Sequence, residues 1–303
     1  MASQALEACI GLNGPRFQAK RTAEGIASLA AFCRQHQVGL VALEATGGYE
    51  RLPFLLLWAE KIPCAVANPR SVRRFAEAMG VIEKNDRLDA AVIAWYAETK
   101  RLVAQEPPSQ ALQQLDALVG RLRQLTELLV VQQNQRRLQT DTKVLASIDA
   151  VTALLRTQSR QFERDIAELL AADPLWRELD KRMREIKGVA DRTVARLLAE
   201  LPEIGTISAK AISKLVGVAP IARDSGKLSG YRHVRGGRAG VRSALFIVAD
   251  VVRRFNPDFA DFHRRLSGAG KAKKAIRIAL AHKLLIRLNA KARDARQNLA
   301  LAA

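Results

Sequence analysis

Residues 38–50, VGLVALEATGGYE, decide how the first part of this chain is read. The run 38–44 is apolar until its last residue, the pattern of a strand buried on both faces, and it closes on Glu44. ATGGYE then reads as a loop, because Gly47 and Gly48 accept backbone angles that other residues resist. Functional groups in open α/β sheets gather beyond the carboxyl ends of strands, which makes Glu44 a candidate site residue.

Working outward, a helix precedes this strand over roughly 22–36, with Ile26, Leu29, Ala30 and Cys33 at helical spacing. Earlier still, residues 5–11 and 16–21 straddle LNGP, where Asn13-Gly14 signals a hairpin. Downstream come a short helix (51–61), a second strand in PCAVAN (63–68), and a helix over 69–80 with Pro in its first turn and Gly as its stop. The order hairpin, helix, strand, helix, strand, helix predicts an α/β domain with a mixed sheet. EKNDRLDA (83–90) opens a further helix. Asp86 at its N-cap and Asp89 at N3 would complement the helix dipole. The same two carboxylates, with Glu44, also offer three hard oxygen ligands of the kind Mg2+ or Mn2+ prefers. Both readings stand at this level, since one residue can cap and coordinate.

The 303 residues suffice for two domains with their own cores, and 49% apolar content excludes a disordered chain. No stretch reaches the ~18 uninterrupted apolar residues of a membrane span. The start, MASQALEACIG, lacks the features of a signal peptide. Cys9, Cys33 and Cys64 are odd in number and widely spaced, which fits reduced thiols in a cytoplasm rather than a disulfide or zinc framework.

Charge is lopsided. Residues 181–303 hold 27 Lys/Arg against 9 Asp/Glu, whereas residues 1–180 hold 22 against 21. A strongly basic last third points to a polyanion, and nucleic acid is favoured over a membrane surface because aromatics are only 5% and line no basic segment. EPPSQ (106–110) punctuates the chain, and 111–185 is helical. Leu112, Leu115, Leu118, Leu122, Leu125 and Leu129 form a heptad-like seam, either an intramolecular hairpin or, slightly favoured by its length, a dimerising coiled coil.

IKGVADRTVARLLAEL (186–201) reads as a turn and a helix. Lys187 and Gly188 would present turn amides to a phosphate, as in a helix-hairpin-helix, or the turn is an ordinary helical contact. Residues 222–246 form a Gly-, Ser- and Arg-rich loop entering a helix, with Lys227, Arg232, Arg235, Arg238 and Arg242 as its nucleic-acid-binding charges. The last segment, GKAKKAIRIALAHKLLIRLNAKARD, is a basic amphipathic helix read as touching phosphate. Arg70, Arg73 and Arg74 are equally a solvated helix face or contacts to nucleic acid near the acidic residues. His233 and His263 read as surface residues, and Trp58, Trp95 and Trp176 as core. The domains are 1–104, 105–182 and 183–303.

LVALEATGGYERL, VANPRSVRRFAEAMGVIEKNDRLDAAVIA and LVGVAPIARDSGKLSGYRHVRGGRAGVRSALF together resemble the transposases of the insertion sequence 110 family. The resemblance covers nearly the whole chain. It implies an RNase H/RuvC-like N-terminal domain, a helical coiled-coil middle and a mostly helical, basic C-terminal transposase domain. It implies an acidic Asp-Glu-Asp-Asp tetrad binding divalent metal, in which Glu44, Asp86 and Asp89 match the last three members. It implies a serine nucleophile at Ser225, with Ser229 as the nearby decoy, and one composite site built by both domains. It further implies DNA partners, a guide RNA encoded by the element, and a homodimer or homotetramer.

The tetrad's first aspartate has no match: Met1 falls just after its expected place, and Glu7 sits at a position the family fills with a non-tetrad acid. A start placed late is favoured over a truncated, inactive copy. Two further expectations stay open beside a transposase. One is a site-specific DNA invertase of the same superfamily, the other a non-catalytic nucleic-acid-binding remnant. A Holliday-junction resolvase has no use for the serine domain.

Overall fold

Alternating side chains carry Ala5–Cys9 (β1) and Arg16–Lys20 (β2) into an antiparallel hairpin, with Leu6 opposite Ala19 and Ala8 opposite Phe17. The computed structural model describes residues 5–81, 83, 86–222, 224–225, 228–230 and 232–302, and for 86, 87, 224, 225, 228, 229 and 302 the backbone alone. It separates into two compact units, Met1–Pro108 and Ser109–Ala303.

In the first unit the hairpin leads to helix α1 (Ala23–Gln35), capped by Thr22, whose Oγ1 accepts from the Gly25 amide. β3 (Val41–Glu44) and β4 (Cys64–Ala67) run parallel, with Leu43 opposite Val66, and are joined by α2 (Arg51–Ala59). α3 (Pro69–Ala78) begins on Asn68, whose side chain accepts from the amides of Arg70 and Ser71, and α4 (Asp86–Lys100) follows. Leu6, Ile26, Leu29, Leu43, Phe54 and Leu57 form one core. Ala67, Val72, Val92 and Tyr96 form a second between α3, β4 and α4.

Three expectations change here. The reversal of the β1–β2 hairpin draws its positive φ from Gly11 (+57°), not from Asn13-Gly14. Gly14 is required for space instead, since a Cβ there would lie 2.2 Å from the Ile10 carbonyl oxygen. The mixed sheet is two separate pairs, β1–β2 and β3–β4, among the described residues. Finally, Asp86 is the first residue of α4 rather than the cap before it.

The second unit opens with α5 (Gln110–Arg137, capped by Ser109) and α6 (Thr142–Ala172, capped by Asp141). They fold into an antiparallel hairpin that buries Leu115, Leu122 and Leu125, so the leucine seam packs within the chain. α7 (Pro174–Arg184), α9 (Ala209–Val216), α10 (Ala239–Phe255) and α11 (Pro257–Gly268) surround α12 (Lys273–Ala302), while α8 (Asp191–Glu200) packs against α5, α7 and α10. The basic terminal helix is therefore a central one, with Leu280, Leu284, Leu285 and Leu288 at most 1% exposed. Asn289, also 1% exposed, accepts from the Gly205 amide (2.8 Å) and donates to the Ile207 carbonyl (3.0 Å), pinning α12 to the turn after α8. No helix among the described residues is long and apolar enough to cross a membrane.

Candidate active site and nucleic-acid interface

Glu44 stands at the carboxyl end of β3, where the chain must turn before α2. Thr46 Oγ1 donates to a Glu44 carboxylate oxygen at 3.3 Å. Glu50 accepts from the amides of Thr46 (2.9 Å) and Gly48 (3.1 Å), which wraps the loop around one carboxylate. Gly47 (φ +62°) and Gly48 (φ +93°) take the left-handed angles this wrapping needs. The Thr46 and Glu50 roles were not read from the sequence, although an acid four residues beyond a Thr-Gly-Gly turn is a recognisable capping signal.

Asp89 lies on α4, which packs against β3, and it lines the same cleft as Glu44. Among the described residues neither carboxylate has an ion-pair partner. Asp86 lies one helical turn before Asp89, which places both residues on one face of α4, but its side chain is outside the described residues. No group of three metal-binding side chains is assembled among the described residues. Two half-buried carboxylates in one cleft still suit a hard divalent cation, which takes oxygen ligands and keeps several waters. Arg70, Arg73 and Arg74 from α3 line the same cleft, with Arg73 also paired to Glu77 at 3.1 Å. Carboxylates for a cation and guanidinium groups for phosphate thus meet in one cleft.

In the second unit the Ser225 region is a small hairpin rather than an irregular loop. β5 (Asp224–Ser225) pairs antiparallel with β6 (Leu228–Ser229), Ser225 opposite Leu228, and an Ile221–His233 bridge extends the pairing. The side chains of Ser225 and Ser229, and all of Lys227, lie outside the described residues. Arg232 and Arg235 are exposed beyond the hairpin.

Arg238 and Arg242 are both engaged within the second unit. Arg238 forms a two-pronged ion pair with Glu203 and donates to the Glu200 carbonyl at 2.9 Å. Burial is the largest single influence and works to raise the Glu203 carboxyl, but the Arg238 hydrogen bonds, a backbone hydrogen bond and the Arg238 charge together outweigh it, leaving it below its ordinary value. Arg242 donates to the carbonyls of Val216, Gly217 and Gly236, where two glycine turns cross. That crossing leaves no room for side chains, since a Cβ on Gly237 would lie 2.4 Å from the Gly217 nitrogen.

Gly188 likewise has a packing task. At φ +98° it sits where a Cβ would come 2.9 Å from the Val252 Cα, so it brings the α7–α8 turn onto α10. Lys187 beside it is exposed. On α12, Lys283 donates to the Asp258 carbonyl (2.8 Å) over the Phe259 and Phe262 rings, and Arg287 pairs with Asp258 (2.6 Å). Lys271, Lys273 and Lys274 at the start of this helix are exposed.

Residues 12–143 match a family model described as transposase, of the DEDD insertion sequence 110 type. Residues 180–264 match a second, described as transposase of the IS116/IS110/IS902 family. The pilin gene-inverting proteins of Moraxella bovis and Moraxella lacunata are each 27% identical to this chain over 282 residues, spanning 86% of it and 84% of the relative.

Proposed function

This chain belongs to the IS116/IS110/IS902 family of transposases, which are DNA recombinases, and from that premise we propose that Ser225 is its nucleophile and that Glu44, Asp86 and Asp89 bind Mg2+ or Mn2+. The observation that carries the metal half is the shared cleft of Glu44 and Asp89, which three arginines also line. A bound divalent cation supplies charge to polarise a phosphodiester. The chain's own residues then hold and cut the strand. Arg70 and Arg74 seat phosphate oxygens beside the carboxylates, and Thr46 fixes the rotamer of Glu44 through its hydrogen bond.

The Ser225 hydroxyl attacks phosphorus; its O–P bond forms as the bond to one deoxyribose oxygen breaks, and the proton lost by serine ends on the freed hydroxyl. Reversal with a different hydroxyl rejoins the strands. Exposed Lys187, Arg232 and Arg235 add phosphate contacts, with Lys227 as a further one. The fold supporting the carboxylates is RuvC-like, the DNA partner is selected by an element-encoded guide RNA, and the working form is a homodimer or homotetramer in the cytoplasm.

Incubating the full chain with element-end DNA, its RNA and Mg2+, beside a version extended upstream to restore the first aspartate, tests this on a denaturing gel. A covalent protein–DNA adduct that Ser225→Ala abolishes and Ser229→Ala retains is the expected result. An adduct that survives Ser225→Ala refutes the serine assignment. Intact DNA binding with no adduct from either version establishes the non-catalytic binder instead. Inversion is a second reading, favoured by the gene-inverting designation of the Moraxella relatives; a substrate with two inverted sites distinguishes it by flipping the intervening segment.

A further inference from the structure

Helix α10 buries Val241, Leu245, Ala249 and Val252 against the rest of the second unit. The outward side of such a surface helix is ordinarily polar. Here Ile247, Val251 and Phe255 are 62%, 37% and 59% exposed, and steps of four residues line them up as one ridge. Apolar residues scattered singly over a surface need no explanation, but three large ones in register do.

One flank of the ridge is basic. Asp250 and Arg254 follow Ile247 and Val251 at three-residue steps and so lie beside them. The Asp250 carboxylate receives Arg253 (2.7 Å), Arg254 (3.4 Å) and, from α12, Arg277 (3.1 Å). One negative charge thus serves three positive ones. The Arg277 guanidinium lies 4.7 Å from the centre of the Phe246 ring, and among the described residues nothing accepts from its buried Nε. Lys273 and Lys274, one turn earlier on α12, are exposed.

Three apolar side chains fall far short of the ~20–30 residues a side that a stable protein interface uses, so the ridge by itself does not hold a second copy of the chain. The basic flank calls for an anion. A single nucleic-acid strand satisfies both parts, because unpaired bases stack on aromatic and apolar side chains while their phosphates follow the charges. Ile247, Val251 and Phe255 carry no donor or acceptor for a ribose 2′-hydroxyl, which favours DNA over RNA. A recombinase also has use for such a surface, since a strand rejoined to a different duplex must leave one complement before it meets the next.

We propose that the α10 ridge is a stacking surface for single-stranded DNA, with Ile247 and Phe255 under the bases and Arg254, Lys273 and Lys274 on the phosphates. The inference rests on the DNA-recombinase reading for its partner, and on neither the nucleophile nor the metal.

The test uses the full chain carrying Ser225→Ala, in EDTA, so that binding is read without cleavage and failure of the catalytic assignment leaves the result intact. Fluorescence anisotropy compares a labelled DNA strand of about 16 nucleotides with its duplex. Phe255→Ala combined with Ile247→Ser should weaken the single strand by about tenfold or more and leave its salt dependence unchanged. Duplex affinity should stay within about twofold, which also reports that the variant is folded. Phe255→Tyr should retain binding, and Arg254→Gln should lower the salt slope on the single strand by about 0.7. The parent should bind an abasic strand of the same length as weakly as the double variant binds the intact one. Equal losses on strand and duplex, no loss with the double variant, or an abasic strand bound as tightly as an intact one overturns the proposal. Two further results overturn it by assigning the ridge elsewhere. An RNA strand of the same sequence that binds more tightly and suffers the same losses assigns it to RNA. A sedimentation mass that falls with the double variant, without nucleic acid, assigns it to a second copy of the chain.

Discussion

Replacing Arg238 by Met separates a structural guanidinium from a DNA-binding one. Arg238 and Glu203 are 35% and 34% exposed, and Arg238 also serves the Glu200 carbonyl. Breaking a fully buried pair costs about 3–5 kcal/mol and an exposed one at most about 1, so this half-screened pair is worth about 2 kcal/mol. Over a unit of this size that lowers the melting temperature by about 4–8 °C. Differential scanning fluorimetry measures it. Because Glu203 titrates below its ordinary value of 4.5, its contribution is present above that value and is lost as pH falls below it. The variant should therefore lose less stability than the parent between pH 5 and pH 3, a window of about two units around the unfolded carboxyl. The double variant Arg238→Met, Glu203→Met should recover most of the loss, since an apolar pair replaces a desolvated one. An unchanged melting temperature, together with a salt dependence of DNA binding reduced by about one counterion, would refute the argument.

Asn289→Leu should destabilise the second unit by about 1–3 kcal/mol in urea titration, because the Gly205 amide loses its partner while the Ile207 carbonyl keeps its bond from Arg293 at 3.1 Å. Gly188→Ala should cost more than about 1 kcal/mol through its positive φ and the Val252 backbone, with DNA affinity of the folded fraction unchanged. The Cys64 thiol, pushed up to about 12 by burial and by nearby Cys33, should resist iodoacetamide at pH 8 until the chain unfolds; mass spectrometry reads the adduct. His282, held below its ordinary value by burial, bonds Ser213 through Nε2 at 2.9 Å. Ser213 donates to the Ala209 carbonyl and so accepts from neutral His282. Stability should fall as pH drops below 6.5, where the unfolded imidazole gains its proton first, and His282→Gln should flatten that slope in melting curves.

The strands at 41–44 and 64–67, the helix with Pro69 in its first turn and the carboxylate at the end of β3 were legible because each is written in neighbouring residues. Apolar runs, capping side chains and turn glycines act over a few positions. The nucleic-acid reading of the basic third was legible only as a total. Which cations remain for a polyanion depends on partners far away in the chain: Glu203 lies 35 residues from Arg238, and Gly217 lies 25 from Arg242. At Gly188 the sequence allows a phosphate-binding turn and an ordinary helical contact alike, because its neighbour Val252 is visible only once α7, α8 and α10 are packed.

The leucine seam shows the same division. Its period established two long helical surfaces, but a heptad pattern is satisfied equally by a neighbouring helix or by another chain. The short turn between α5 and α6 brought the neighbour into place. Sequence alone therefore determined the local elements, the family motifs and the charge excess. Tertiary structure decided which charges are spent on the protein itself. Hydrophobic periodicity and capping are short-range properties, whereas pairing of buried polar groups is a long-range one.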